Sequence, residues 1–290
     1  MPELPEVETI RIGLQHRLPG LVVKAVSSDN EKSFPNAPAD VKSFLLNAKV
    51  NGVRRRAKVL LIDLGSSYSL VIHLKMTGQI VYVQNRGLGR FGAGHPNNSL
   101  VGELPDRSTR VTIEFKDSKL FFNDQRKFGW MRLMPTIEVE NLDFFKKVGP
   151  EPLSSNFTAE MFIQRFQRRK NTNIKAALLD QTVVAGIGNI YADESLWGAY
   201  IHPATLVKDV PDQKLKDLYK EARYVLNLSI QKGGSTDKNY VDAEGKRGSY
   251  LDFARVFRRE NLPCPRCGTT VQKIRVAGRG THFCPTCQKP

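Results

Sequence analysis

Apolar residues in the first half of the chain fall mostly into short β-like runs. Residues 6–18 are different, because their apolar positions have helical spacing, and this helix is predicted to end before Pro19 and Gly20. The later runs are rich in Val, Ile, Leu and Phe and are separated by Gly, Ser and Asn. Strands are predicted at 21–23, 50–53, 59–64, 68–74, 80–83, 109–115 and 120–122. We interpret residues 2–135 as a β-sandwich or flattened barrel with the first helix packed alongside.

The segment 85–108 interrupts this pattern. It is rich in Gly and Pro, shows no periodicity and is predicted to form one long loop that contains His95. A loop of this length in a compact domain is either functional or mobile.

The pattern becomes helical beyond a proline-bracketed linker at 136–152, which includes a short helical piece at 141–147. Helices are predicted at 158–168, 174–179, 190–200 and 213–231. Residues 232–253 are polar and glycine-rich and predict a loop. The predicted class is therefore α+β, with its parts at 2–135 (β-sandwich), 136–152 (linker), 153–253 (helical domain) and 254–290 (C-terminal segment).

The charge balance indicates a polyanionic partner. The 290 residues include 44 Lys and Arg against 29 Asp and Glu, which gives a net charge of +15. Residues 255–290 carry eight basic side chains and one acidic side chain, Glu260. Such a surface attracts phosphates, most simply those of nucleic acid, although charge alone leaves ribosomal and membrane-surface partners open. With no long apolar run and no signal-like amino terminus, the chain is expected in the cytoplasm without a membrane span.

Four cysteines near the carboxyl end have the spacing of a metal site. Cys264 and Cys267 form one C-x2-C pair, Cys284 and Cys287 form the second, and 16 residues separate the pairs. Two such turns present four thiolates to one Zn²⁺, and two disulfides are the alternative for an oxidising compartment. Four thiolates leave no open coordination position, so this zinc is predicted to be structural.

The amino terminus offers a nucleophile and two acids. Removal of Met1 before the small Pro2 would leave a secondary amine, and a terminal amine is neutral in roughly a tenth or more of molecules at pH 7. Glu3 and Glu6 follow at distances suited to proton transfer. The same residues are also typical of an ordinary capped helix start.

The octapeptide from Pro2 to Thr9, PELPEVET, resembles the opening of the formamidopyrimidine-DNA glycosylases, which are bacterial base-excision repair enzymes. The resemblance extends over nearly the whole chain and implies a glycosylase and AP lyase that removes 8-oxoguanine and formamidopyrimidines from duplex DNA. It implies β,δ-elimination through a Schiff base on Pro2, with catalytic roles for Pro2, Glu3, Lys58 and Arg279 and a supporting role for Glu6.

The resemblance also implies the DNA contacts. His73-Leu-Lys-Met76-Thr-Gly and Asp124-Gln-Arg126-Lys-Phe128-Gly match the elements that fill the gap left by an extruded base, although apolar side chains at turn tips are more often core residues. Lys175 and Asn189 match phosphate-binding positions of a helix–two-turn–helix element, residues 232–250 match a base-covering loop, and 254–290 match a zinc-finger hairpin. His95 and Asn171 are further DNA-contact candidates, because the usual histidine pair before Val111 and the usual basic residue before Thr172 are missing.

Three other functions stay open on the residues alone. They are a nucleic-acid-binding protein without catalysis, a repair enzyme for oxidised pyrimidines, and a zinc-stabilised RNA-binding or ribosome-associated protein. Leu4, Met76 and Phe128 fit the purine-specific branch of the family better than the endonuclease VIII branch. The expected partner is damaged double-stranded DNA, bound by a monomer.

Overall fold

The computed structural model describes residues 2–84, 89–95, 97–235 and 250–290. The described residues form two compact units. The first unit comprises residues 2–146 with 232–235, and the second comprises 147–231 with 250–290. Each unit has its own buried core.

Two antiparallel sheets build the first unit. One has the strand order β1-β7-β8-β5-β6 and the other β2-β3-β4-β9. The strands are β1 (Ala25–Ser28), β2 (Val50–Arg56), β3 (Val59–Leu64), β4 (Tyr68–His73), β5 (Gly78–Gln84), β6 (Arg90–Gly94), β7 (Thr109–Glu114), β8 (Ser118–Asp124) and β9 (Trp130–Pro135). Its helices are α1 (Leu4–Gln15) and α2 (Pro38–Asp40), and a short helix α3 (Asp143–Lys147) runs across the boundary to the second unit.

Alternate residues of both sheets point into one apolar core. Leu60 and Ile62 of β3 lie in the same buried cluster as Ile80 and Tyr82 of β5, as the two-residue period of a strand requires. Helix α1 adds Val7, Ile10 and Leu14 to that cluster. The predicted β-sandwich with a helix packed alongside is confirmed.

The prediction of one uninterrupted loop over 85–108 was wrong. Within it, Arg90–Gly94 forms β6 and pairs with β5 from Gln79 to Val83. Two of its five residues are glycine, which hides the strand from a pattern based on apolar side chains. Its one large apolar residue, Phe91, is buried against α1.

Two other elements also differ from the prediction. The run at 21–23 makes only an isolated bridge between Val22 and Lys49, and the strand begins at Ala25 instead. Strand β9 was not predicted, because its side chains are mostly half-buried at the edge of its sheet and carry no clean alternation.

Gly13 of α1 is required by the close approach of β6. A Cβ at this position would overlap the ring of Phe91, which is buried in the core. We therefore expect Gly13→Ala to lower the free energy of unfolding by about 1–3 kcal/mol, despite the higher helix propensity of alanine. Urea denaturation of the variant measures this loss.

A double variant, Gly13→Ala with Phe91→Leu, separates the clash from other effects. It should be more stable than the sum of the two single changes predicts, because the smaller side chain leaves space for the added methyl group. Simple additivity would contradict the explanation.

The second unit is helical and ends in a β-hairpin. Its helices lie within two residues of the predicted spans: α4 (Ala159–Gln167), α5 (Ile174–Leu179), α6 (Asn189–Gly198) and α7 (Asp212–Gln231). The hairpin pairs β10 (Gln272–Val276) with β11 (Arg279–Phe283). Among the described residues, no helix combines the length and apolar character that crossing a membrane requires.

Candidate DNA-binding and catalytic site

The first turn of α1 is closed by a reciprocal pair of glutamates. Glu3 lies at the N-cap, its side chain accepts a bond from the backbone of Glu6, and its own N–H donates to Glu6 Oε2 at 2.8 Å. Pro2, Glu3 and Glu6 are all buried. The helix start and the candidate catalytic acids are thus the same structure, and the two interpretations of the sequence are compatible.

Glu6 also holds the beginning of the predicted base-covering loop. Its Oε1 accepts bonds from Ser235 N–H at 2.8 Å and Ser235 Oγ at 2.7 Å. The carboxylate therefore links the first turn of α1 to residue 235. The remainder of that predicted loop, 236–249, lies outside the described residues, and so does Met1.

Lys58 lies in the tight turn between β2 and β3. Ala57 adopts a left-handed conformation with φ of 53°, and the side chain of Lys58 is only 7% exposed. Arg55, two residues before this turn, donates to the Ala57 carbonyl at 2.7 Å and to Glu8 of α1 at 2.8 Å. These bonds fasten the turn that carries Lys58 to the helix that carries Glu3.

The two turns that carry Met76 and Phe128 are tied together by Asp124. The Asp124 carboxylate is fully buried and accepts bonds from the Thr77 hydroxyl, from Arg126 N–H at 3.2 Å and from Gly129 N–H at 2.6 Å. An aspartate placed this way fixes both turns at once.

The apolar side chains of these turns are exposed. Met76 is 38% exposed and Phe128 is 56% exposed, so neither belongs to the core. The Arg126 guanidinium lies over the Phe128 ring, 4.9 Å from its centroid. The turns therefore expose a small group of apolar and cationic side chains, while Asp124, which fixes the turns, is buried.

His73 ends β4 in a largely dry environment. Burial, followed by the charges of Lys75 and Lys58, lowers the pKa of His73 to about 3. The ring is neutral as a result, and its Nδ1 accepts the Lys75 N–H at 3.0 Å.

This histidine makes stability depend on pH. The unfolded state takes up a proton below its ordinary pKa near 6.5, whereas the folded state does not until about pH 3. The free energy of unfolding should therefore decrease as the pH is lowered, by about 2 kcal/mol from about pH 7 to about pH 5. His73→Asn keeps an acceptor but removes this part of the slope, which urea denaturation at the two pH values would measure.

His16→Asn, at an exposed residue just after α1, controls for loss of a histidine elsewhere. If His73→Asn and wild type lost equal stability over the same pH interval, the assignment of the slope to His73 would be wrong.

His95 lies at the end of β6, beside the Met76 turn. Its N–H donates to the Gly78 carbonyl at 3.1 Å, and its own carbonyl accepts a bond from the Gln79 side chain. Burial lowers the pKa of His95. The ring is partly exposed, so it stays a candidate for a DNA contact.

Lys175 is placed differently from the expectation of a surface phosphate ligand. Its side chain is fully buried, with Nζ 2.6 Å from Asp193 Oδ1 and 2.6 Å from Thr281 Oγ1. The ammonium also donates to the Gly280 carbonyl at 3.3 Å. In this structure Lys175 connects α5 to the hairpin, and it does not reach the surface.

Asn189 contacts the hairpin next to Arg279. Asn189 begins α6 after the buried glycine-rich turn at 186–188, and its Nδ2 donates to the Gly280 carbonyl at 3.0 Å. Arg279, next to Gly280, is exposed and follows a two-residue turn in which Ala277 and Gly278 have φ of 49° and 73°. Asn171 lies on an exposed turn before α5.

The four cysteines fit one tetrahedral metal ion. Their Sγ atoms all lie within 4.8 Å of one another, and thiolates around one Zn²⁺ stand about 3.8 Å apart. The prediction of a single structural zinc is confirmed. The second C-x2-C pair directly follows β11, so a zinc ion bound there would hold the base of the hairpin that carries Arg279.

Two supporting residues were not singled out from the sequence. Asp124 joins the Met76 and Phe128 turns, and Asp193 joins Lys175 to the hairpin through the His282 N–H at 2.8 Å. Both aspartates belong to the sequence motifs named above, but the neighbouring residues do not show whether an aspartate is buried or solvated. Their supporting role follows only from the burial of the groups that they bind.

Comparisons with known proteins give one consistent result. Residues 1–131 match the formamidopyrimidine-DNA glycosylase N-terminal domain, residues 148–240 its H2TH domain, and residues 261–290 the zinc finger found in FPG and IleRS. The formamidopyrimidine-DNA glycosylases of Pelotomaculum thermopropionicum and Desulforamulus reducens are 39% and 40% identical to the chain, each over 100% of it and 99% of the relative.

Solved structures agree with these relatives. A Lactococcus lactis FPG mutant in complex with Fapy-dG-containing DNA superposes with a TM-score of 0.87, at 33% identity over 100% of both chains. MutM in complex with DNA containing carbocyclic 8-oxo-G gives a TM-score of 0.86, at 32% identity over 100% of both chains.

Proposed function

Because the chain belongs to the formamidopyrimidine-DNA glycosylase family, we propose that it removes oxidised purines from duplex DNA and cleaves the strand at the resulting abasic site. The substrates are 8-oxoguanine and formamidopyrimidine lesions, as in the DNA bound by the related structures. The observation that carries the proposal is the buried first turn of α1, where Pro2 stands directly before the Glu3–Glu6 pair.

Pro2 is the nucleophile once Met1 is removed. Its ring nitrogen attacks C1′ of the damaged nucleotide, the base leaves, and an iminium joins the protein to the sugar. Glu3 protonates the ring oxygen of the opening sugar. Glu6 is fully engaged with Glu3 N–H and Ser235, so its role is to hold Glu3 in place.

Strand cleavage follows from the positive charge of the iminium. That charge acidifies the C2′ hydrogen, so the 3′ phosphate leaves by β-elimination and the 5′ phosphate by δ-elimination. Lys58, buried in the β2–β3 turn, serves in proton transfer during β-elimination. Arg279, at the exposed hairpin, holds the lesion phosphate by a two-pronged contact and assists δ-elimination.

The exposed turn residues occupy the gap that the extruded base leaves. Met76 and Phe128 insert into the stack, and Arg126 pairs with the opposite base.

Asn189 binds phosphate at the amino end of α6, and Asn171 and His95 contribute further DNA contacts. Lys175 acts indirectly, because its buried ammonium positions the hairpin. The four cysteines would hold a zinc ion at the base of that hairpin, and with four thiolate ligands it would have no open coordination position for a reactant. We also propose that the protein works as a cytoplasmic monomer.

Incubation with labelled duplexes tests the proposal. A duplex containing 8-oxoguanine opposite cytosine should be converted to a one-nucleoside gap with phosphates at both ends, while the undamaged duplex stays intact. A protein that only binds DNA would retard the duplex in a gel without cutting it, and this result would refute the enzymatic function. Competition with a thymine-glycol duplex tests the purine preference, which fails if that duplex is cut faster.

A further inference from the structure

One face of α6 carries contacts with the zinc-finger segment. Asn189, Asp193 and Trp197 stand four residues apart, so their side chains lie along one side of the helix. Their partners in the finger are, in that order, the Gly280 carbonyl at 3.0 Å, the His282 backbone N–H at 2.8 Å and Cys264 Sγ at 3.4 Å. The first two contacts hold the hairpin of Arg279, and the third reaches a metal ligand.

Trp197 is built into the surroundings of the metal site. Its ring is 6% exposed and lies in one buried cluster with Val256, Cys264, Val271 and Cys284. The indole N–H donates to Cys264 Sγ, so the polar atom of this buried side chain has its partner in the cysteine cluster.

Two guanidinium groups lie over the indole ring of Trp197. Arg266, which lies between Cys264 and Cys267 in the chain, stands 3.7 Å from the ring centroid and donates to the Trp197 carbonyl at 3.1 Å. Arg255 stands 4.7 Å from the same centroid. Four thiolates around Zn²⁺ carry a net charge of −2, and nearby cations together with an N–H donor stabilise such a centre.

We propose that Trp197 is an outer-shell ligand of the zinc site, whose indole N–H stabilises the Cys264 thiolate and slows loss of the metal. Groups that donate hydrogen bonds to metal ligands tune affinity, and their removal weakens binding about 10–100-fold. Trp197 lies on the same face of α6 as Asn189 and Asp193. The helix that contacts the metal ligand Cys264 is therefore also the helix that holds the hairpin of Arg279. The proposal concerns zinc and does not depend on the reaction above.

Trp197→Phe tests it, since phenylalanine keeps a ring beside the guanidinium groups but lacks the N–H donor. The chain has two tryptophans, and Trp130→Phe makes the same chemical change in the first unit, which does not contain the four cysteines. Zinc-loaded proteins would be challenged with a chromogenic chelator while circular dichroism monitors folding. We expect about tenfold faster zinc release from Trp197→Phe and a rate near wild type for Trp130→Phe. Equal release from both variants would overturn the proposal.

A second measurement needs no substitution at position 197. In protein substituted with NMR-active cadmium, the indole proton of Trp197 should show scalar coupling to the metal through the N–H···S bond. Trp130→Phe leaves a single indole signal and so assigns it. An indole signal without coupling would contradict the proposed bond, even if Trp197→Phe failed to fold.

Discussion

Pro2→Gly should reduce the adduct that borohydride traps with lesion-containing DNA by about 10²-fold. Glycine at position 2 still permits removal of Met1, but it replaces the ring-held secondary amine by a freely rotating primary amine. Misplacement of a reacting atom by about 1 Å can cost a factor of that size. The measurement is the fraction of labelled duplex that migrates as a covalent complex after reduction, at equal protein concentration.

Pro5→Ala is the matched control, because it changes a second proline in the first turn of α1 and leaves the amino-terminal amine intact. It should trap DNA nearly as well as wild type. Intact mass establishes that Met1 has been removed from each variant. If Pro2→Gly formed as much adduct as Pro5→Ala, the nucleophile would have to be another amine.

Glu194→Leu should destabilise the second unit by about 3–5 kcal/mol, because it leaves several buried donors unpaired. The Glu194 carboxylate is fully buried in α6. It accepts backbone N–H bonds from Arg255 at 2.9 Å, Val256 at 2.9 Å and Phe257 at 2.8 Å. These three consecutive amides lead the chain into the zinc-finger segment, so one side chain orders that entry.

Urea denaturation followed by Trp197 fluorescence, in a Trp130→Phe background, would measure the loss. Glu221→Gln is the control, since Glu221 also binds Arg255, at 3.1 Å, but is partly exposed. A partly exposed pair is worth about 1 kcal/mol or less, so this variant should be nearly as stable as wild type. Comparable losses in the two variants would show that Glu194 does not order the entry to the zinc-finger segment.

The predictions that succeeded rest on residues that are close in sequence. The predicted α5 span, 174–179, agrees with the structure, and the other helices of the second unit agree within two residues, because apolar positions at helical spacing identify a buried face. The two C-x2-C pairs predicted the metal cluster for a similar reason, since each pair is a single turn.

The predictions that failed rest on contacts between distant residues. Strand β6 is glycine-rich, and only its pairing with β5 and the burial of Phe91 against α1 make it a strand. The phosphate contact of Lys175 stays a prediction, but the burial of its side chain could not be read from the sequence, because its partner Thr281 is 106 residues away. The exposure of Met76 and Phe128 also depended on packing, because apolar side chains at a turn fit a core equally well.

The sequence by itself determined the β-sandwich and helical regions, the four-cysteine metal site, the basic charge and the order of motifs that places the chain in its family. Hydrophobic periodicity and cysteine spacing depend only on residues close together in sequence, so both can be read from the sequence alone. Tertiary structure alone decided which polar groups are buried together, such as Asp124 with the two exposed turns and Glu194 with the entry to the finger. A carboxylate is stable in the interior only when folding brings its donors to it from elsewhere in the chain.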